Sequence, residues 1–144
     1  MIGWLLRLSD AARQRARKRR WPADQAAGRR GEDLAHRYLE HHGMTVVARN
    51  WRTSTGQGEI DLVAWEAGML VFVEVKARAT DEFGAPDRNL DASKRSALEQ
   101  AARAYARRAG VPWDRVRFDL VSIVLRNPPA IAHRKDAFQL SRTL

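Results

Sequence analysis

Cysteine is absent from this 144-residue chain, which removes disulfides, thiolate metal sites and cysteine nucleophiles together. Long hydrophobic runs are missing too. No apolar stretch approaches the roughly 20 residues that a membrane-spanning helix needs. The opening Met1-Ile2-Gly3-Trp4-Leu5-Leu6 is too short for a signal-peptide core and has no small-residue cleavage site after it. A cytoplasmic location with no membrane span is the expectation. Acidic residues are scarce relative to basic ones, 17 against 26, so anionic partners come first to mind.

What is present is enough for a core. Hydrophobic residues make up 44% and tryptophan occurs five times, which at this length fits one domain. The positive charge is unevenly placed. Residues 1–30 carry nine Arg/Lys against Asp10 and Asp24, a net of +7, whereas residues 31–144 carry 17 against 15. We therefore divide the chain into a basic N-terminal arm, 1–21, and a single domain, 22–144. Arms of this kind bind nucleic acid or are simply solvated.

From Trp21-Pro22 a helical pattern runs to about His42, with Gly43 as its C-cap. Leu34, Ala35, Tyr38 and Leu39 form the apolar stripe and Glu32 flanks its inner edge. Gly28 and Gly31 each cost a helix about 1 kcal/mol relative to Ala, which suggests a close approach by the sheet or by a ligand phosphate, with a frayed first turn as the plain alternative. His41 and His42 are read as a solvated pair. A strand follows from Met44 to Trp51. The stretch Glu59 to Arg78, broken at Ala67-Gly68, is rich in β-branched and aromatic residues and predicts a β-hairpin. A polar loop spans Ala79 to Leu90. Asp91 is placed as the N-cap of a second helix ending near Gly110, with Leu98, Ala101, Ala102 and Tyr105 inward and Arg95, Glu99, Arg103 and Arg107 outward. Arg115 to Leu125 alternates as a further strand, and Ile131 to Leu140 reads as an edge strand or a packed tail. The order implies a small α/β fold, a mixed sheet of four to five strands flanked by two helices.

The hairpin carries the chemistry. With Glu66 facing Met69, Asp61 falls opposite Glu74 and Glu59 opposite Lys76, and all four share a face. Opposed side chains have Cβ atoms roughly 4.5–5.5 Å apart, so two carboxylates there repel unless compensated. A hard divalent cation such as Mg²⁺, or Mn²⁺, would compensate them, with Asp61, Glu74 and the Val75 carbonyl as oxygen ligands and Glu32 completing the shell. Lys76 could orient an attacking water or hold a phosphate oxygen, which suits metal-assisted phosphodiester hydrolysis. Lys94 lies in the inner stripe of the second helix at a start where the macrodipole disfavours cations, a hint of function beside the plain reading of a surface lysine.

These residues resemble the PD-(D/E)xK motif of restriction-endonuclease-like nucleases, and more closely the bacterial YraN family of predicted endonucleases. The resemblance rests on Gly28-Arg-Arg-Gly-Glu32, Asn50-Trp51-Arg52, Gly58-Glu-Ile-Asp61, Val71-Phe-Val-Glu-Val-Lys-Ala-Arg78, Lys94, Arg117-Phe-Asp119 and Ala137-Phe138. The chain is also similar to archaeal Holliday-junction resolvases. Ile60, not the motif's proline, precedes Asp61, a departure at a position where the superfamily often lacks it. The resemblance implies a restriction-endonuclease-like fold and a nuclease with catalytic Glu32, Asp61, Glu74 and Lys76. Lys94, Arg29, Arg30 and Arg78 become candidate nucleic-acid contacts. DNA is favoured over RNA, branched DNA is one substrate option, and a homodimer cutting two strands is a further option. A non-catalytic nucleic-acid-binding module on the same fold, with Glu59–Lys76 and Asp61 as structural polar groups, is the alternative.

Overall fold

The structure, a computed structural model, describes residues 22–56, 58–79 and 92–139. The basic arm, the loop beyond Ala79 and the Asp91 cap lie outside the described residues. Helix α1 spans Pro22–His41. Its Ala35 and Leu39, four residues apart on one face, are completely buried. Gly43, with φ 85°, ends it in the left-handed conformation that glycine adopts freely. His41 and His42 are both exposed, as a solvated pair would be, but His42 does not lack partners. Its Nδ1 lies 2.7 Å from the Tyr38 carbonyl oxygen and its ring stacks on Tyr38 at 3.9 Å.

Five strands follow: β1 (Thr45–Arg52), β2 (Glu59–Glu66), β3 (Met69–Arg78), β4 (Val116–Val124) and β5 (Ala130–Arg134). They lie side by side in chain order, and among the described residues β3–β4 is the one parallel pair. A parallel step needs a crossover, and helix α2 (Ala92–Ala109) supplies it. The β2–β3 hairpin turns on Ala67 (φ 48°) and Gly68 (φ 82°), and Glu66 faces Met69. Two successive positive φ values match the right-handed twist of the strands that they join. Edge strand β5 settles the C-terminal pattern, and beyond it Phe138 tucks back into the core.

The sheet is covered on both faces. One cluster packs Ala35 and Leu39 of α1 on Leu62, Val71, Val73, Val121 and Ile123. The other packs Leu98, Ala101, Ala102 and Ala106 of α2 on Val63, Leu70, Phe72 and Phe118. This explains why Leu62-Val63-Ala64 and Leu70-Val71-Phe72-Val73 read as continuous apolar runs rather than alternating ones. Burial of each such large side chain contributes roughly 1.5–3 kcal/mol, so the two-sided hairpin anchors both cores.

Glycine marks where α1 meets β3. A Cβ on Gly31 would overlap the Cβ of Ala77, so the close approach expected of this helix is real at Gly31. Gly28 has open space around it and serves no such contact. The outward face of α2 is less solvated than expected. The Arg103 guanidinium sits 4.2 Å over the Trp113 ring and that of Arg95 sits 5.7 Å over Phe138.

Candidate active site

The hairpin register holds from the turn to Leu62↔Val73 and then the ladder stops. The next residues are Asp61 and Glu74. In a regular ladder the Val75 N–H would go to the main chain of the facing residue, Ile60. It donates instead to Asp61 Oδ2 at 2.8 Å. One carboxylate oxygen thus replaces a backbone acceptor at the point where the two strands part. In a hydrogen-bonded position both main-chain groups of a residue face the same neighbour, so the Val75 carbonyl also looks toward this opening.

Side chains on β3 alternate between the two cores: Val71 and Val73 pack under α1, Leu70 and Phe72 under α2. Glu74 and Lys76 continue the second series. Glu74 is 8% exposed, and its Oε1 lies 3.6 Å from Lys76 Nζ. A cleft of about 260 Å³ opens here, floored by Gly58, Glu59, Asp61 and Glu74 and walled by Lys94, Ala97 and Leu98 of α2. Gly58, at φ 81°, allows the wall to stand so close, since a Cβ there would collide with the Ala97 main chain.

The electrostatics are unresolved within the protein. Burial, then the neighbouring Glu74 carboxylate, pushes the Asp61 carboxyl well above its usual range, with Glu32 and Glu59 adding to the repulsion. Burial and the adjacent Lys94 ammonium lower Lys76, against the pull of Glu74. Glu32 is raised, chiefly by burial and also by Glu59, although Asn50 and Arg49 draw it down. Each shift says that the charged form is disfavoured where it stands.

Of the residues singled out from sequence, Asp61, Glu74 and Lys94 line one cleft, with Lys76 on Glu74 at its edge. Glu32, on α1, does not line that cleft, although its carboxylate is near enough to raise Asp61. Its Oε2 accepts from Asn50 Nδ2 at 3.1 Å and lies 3.6 Å from Arg49 Nη2. Among the described residues no three His, Cys, Asp or Glu side chains converge closely enough to cage a metal. The oxygens that fit a hard cation are those of Asp61 and Glu74 together with the Val75 carbonyl. Arg29 and Arg30 are exposed one turn before Glu32, and Arg78 is half-buried at the end of β3. The Glu59–Lys76 pair expected across the strands does not form. Glu59 Oε2 accepts from Arg52 Nη2 at 2.8 Å, because β1 presents Arg52 directly opposite Glu59.

Sequence reasoning missed two groups. Asn50 is one: it stood in the Asn50-Trp51-Arg52 block of the resemblance without a role, and asparagine's tolerance of positive φ was its physical hint. The other is an ion cluster under α1. Arg117 donates to both oxygens of fully buried Asp119 at 2.8 and 2.9 Å, and Asp119 Oδ2 meets His133 Nε2 at 2.8 Å. Glu66 joins through Arg117 at 3.0 Å and Lys135 at 2.9 Å. A larger groove of about 500 Å³ lies over β4 and β5, but it is mostly apolar and holds no acid pair.

A sheet with one parallel step, helices on both faces and its charges gathered where the central hairpin splays defines a mixed α/β domain consistent with a restriction-endonuclease-like fold. Within that class the chain belongs to the uncharacterised protein family UPF0102, whose family model matches residues 31–123. It is 54% identical to a UPF0102 protein of Solibacter usitatus over 138 residues, covering 96% of this chain and 100% of that protein. It is 45% identical to one of Rhodococcus jostii over 115 residues, covering 78% of this chain and 96% of the other.

Proposed function

We propose that the protein is a divalent-metal-dependent nuclease that hydrolyses phosphodiester bonds of DNA, with branched or repair intermediates among its substrates. The observation that carries this reading is the juxtaposition of half-buried Asp61 and buried Glu74, two like charges beside two lysines in an open cleft. The likeness of Gly58–Asp61, Glu74-Val75-Lys76 and Glu32 to YraN-type endonucleases supports it. Mg²⁺ or Mn²⁺ bound at Asp61, Glu74 and the Val75 carbonyl would neutralise phosphate charge and ease ionisation of water. Lys94 attracts a phosphate to the α2 wall. Lys76, beside Glu74, orients the attacking water or stabilises charge on the phosphate oxygens. Arg29, Arg30 and Arg78 are proposed backbone contacts on the flanks.

One observation favours the other reading, a non-catalytic nucleic-acid-binding module. Asp61 already has structural work in accepting the Val75 N–H. Cleavage of duplex, single-stranded, flapped and branched substrates with Mg²⁺ or Mn²⁺ against EDTA separates the two. Lys76→Met, which keeps the apolar stem, is expected to lower single-turnover cleavage by about 10²-fold or more. DNA affinity and melting should change little. Unchanged, EDTA-sensitive cleavage in Lys76→Met would contradict the catalytic assignment.

A further inference from the structure

Edge strand β1 has one residue in the left-handed region, Asn50, at φ 51°. Non-glycine residues rarely adopt it, asparagine more readily than most, and the strain is tolerated where the surroundings enforce it. Its consequence is visible on both strands. Ala48 and Trp51 are three residues apart yet both pack on the α2-side core, so strict alternation fails between them. Across the ladder, Ile60 and Val63 are also three apart and also share that core. The partners Arg49↔Leu62 and Trp51↔Ile60 leave Asn50 facing Asp61, and that is the step missing from the ladder. Regular alternation from Leu62 and Val63 would put Ile60 under α1, so the break in β2 falls at Asp61, opposite the β1 kink, where the Val75 N–H also goes to the side chain instead of the main chain.

The same residue reaches the other candidate acid. Asn50 Nδ2 donates to Glu32 Oε2 at 3.1 Å, while Arg49 bridges Asp33 at 2.8 Å and Glu32 at 3.6 Å. The edge strand thus grips α1 through two consecutive residues. Only Asn50 combines the backbone kink with a donor. Glycine would keep the kink without the donor, and aspartate would set a second acceptor against Glu32.

We infer that Asn50 is a positioning residue for both acids, its left-handed backbone setting the break in β2 that frees the Asp61 carboxylate from a regular ladder position and its amide fixing Glu32. The inference rests on reading Glu32 and Asp61 as working groups. Asn50→Gly is expected to melt no more than about 6 °C below the unaltered protein, because the backbone stays relaxed and one part-buried hydrogen bond of roughly 0.5–1.5 kcal/mol is lost. Its single-turnover cleavage should nevertheless fall about tenfold or more through loss of orientation, with duplex affinity unchanged. Asn50→Ala, strained at positive φ, should melt below Asn50→Gly. In EDTA, Asn50→Asp should melt below both. Asn50→Asp with Glu32→Gln should recover that loss, since the hydrogen bond re-forms with donor and acceptor exchanged, but should not recover cleavage. A merely structural residue would let cleavage track melting across the series. Cleavage by Asn50→Gly at the unaltered rate would overturn the inference, as would equal melting of Asn50→Gly and Asn50→Ala or no recovery in the exchanged pair. If the unaltered protein cleaves nothing, the nuclease reading fails on its own, while the metal-free melts still decide what Asn50 holds.

Discussion

Two charge clusters lie on opposite faces of one sheet, and folding treats their protons in opposite ways. Under α1, hydrogen bonds from His133 and Arg117 outweigh burial and hold Asp119 below its usual range, and Lys135 and Arg117 do the same for Glu66. The Asp119 hydrogen bond in turn raises Arg117. Under α2, Asp61 is pushed up and Lys76 down. Both clusters contain buried carboxylates beside cations, so burial alone does not distinguish them. Partner geometry does. Asp119 receives two donors from Arg117, one from the Asp136 N–H and one from His133. Asp61 has a single main-chain donor and faces Glu74. A satisfied cluster holds the fold together, whereas an unsatisfied one is a site waiting for charge from outside.

The contrast can be broken first on the satisfied side, where the largest effect is expected. Asp119→Ala leaves Arg117 and His133 without their buried acceptor. Removing one partner of a buried pair costs about 3–5 kcal/mol, which corresponds to a fall in melting temperature of roughly 10 °C or more. Denaturant melts check this, and a loss below about 1 kcal/mol would show that the cluster is no structural anchor.

The unsatisfied side should respond with the opposite sign and more mildly. Asp61 in the folded protein keeps its proton to higher pH than its ordinary value of 3.8. Its share of stability is therefore full below that value and lost as pH rises through the folded-state pKa. Asp61→Asn cannot ionise yet still offers an oxygen to the Val75 N–H. In EDTA the variant should melt above the unaltered protein by a few degrees at neutral pH, each ~1 kcal/mol being worth ~4 °C in a domain of this size. The gap should close as pH falls toward 4. A gap that widens on acidification would contradict the direction of the shift.

The two clusters also differ in how far the sequence announced them. The acid hairpin was legible because Asp61, Glu74 and Lys76 stand within one continuous β pattern, and a two-residue turn at Ala67-Gly68 sets the register arithmetically. Both helices were legible from the spacing of Leu34, Ala35 and Leu39 and of Leu98, Ala101 and Ala102. What could not be read is what breaks a period. The kink at Asn50 has no apolar signature, so the parting of the strands at Asp61 and the diversion of Glu59 to Arg52 stayed hidden. The Asp119 cluster draws on β2, β4, β5 and the turn after it. Its assembly depends on the weak edge strand Ala130–Arg134, whose pattern does not fix a register on its own.

A divalent cation is proposed to answer the Asp61–Glu74 repulsion. Thermal melts of the unaltered protein and of Asp61→Asn with Glu74→Gln, titrated with Mg²⁺ or Mn²⁺ from EDTA, address it directly. The unaltered protein should gain melting temperature with added cation, by about 2.7 kcal/mol of stability at a hundredfold excess over Kd. The double variant should melt higher without cation and gain nothing from it. Equal gains in both proteins, or none in the unaltered one, would contradict the claim.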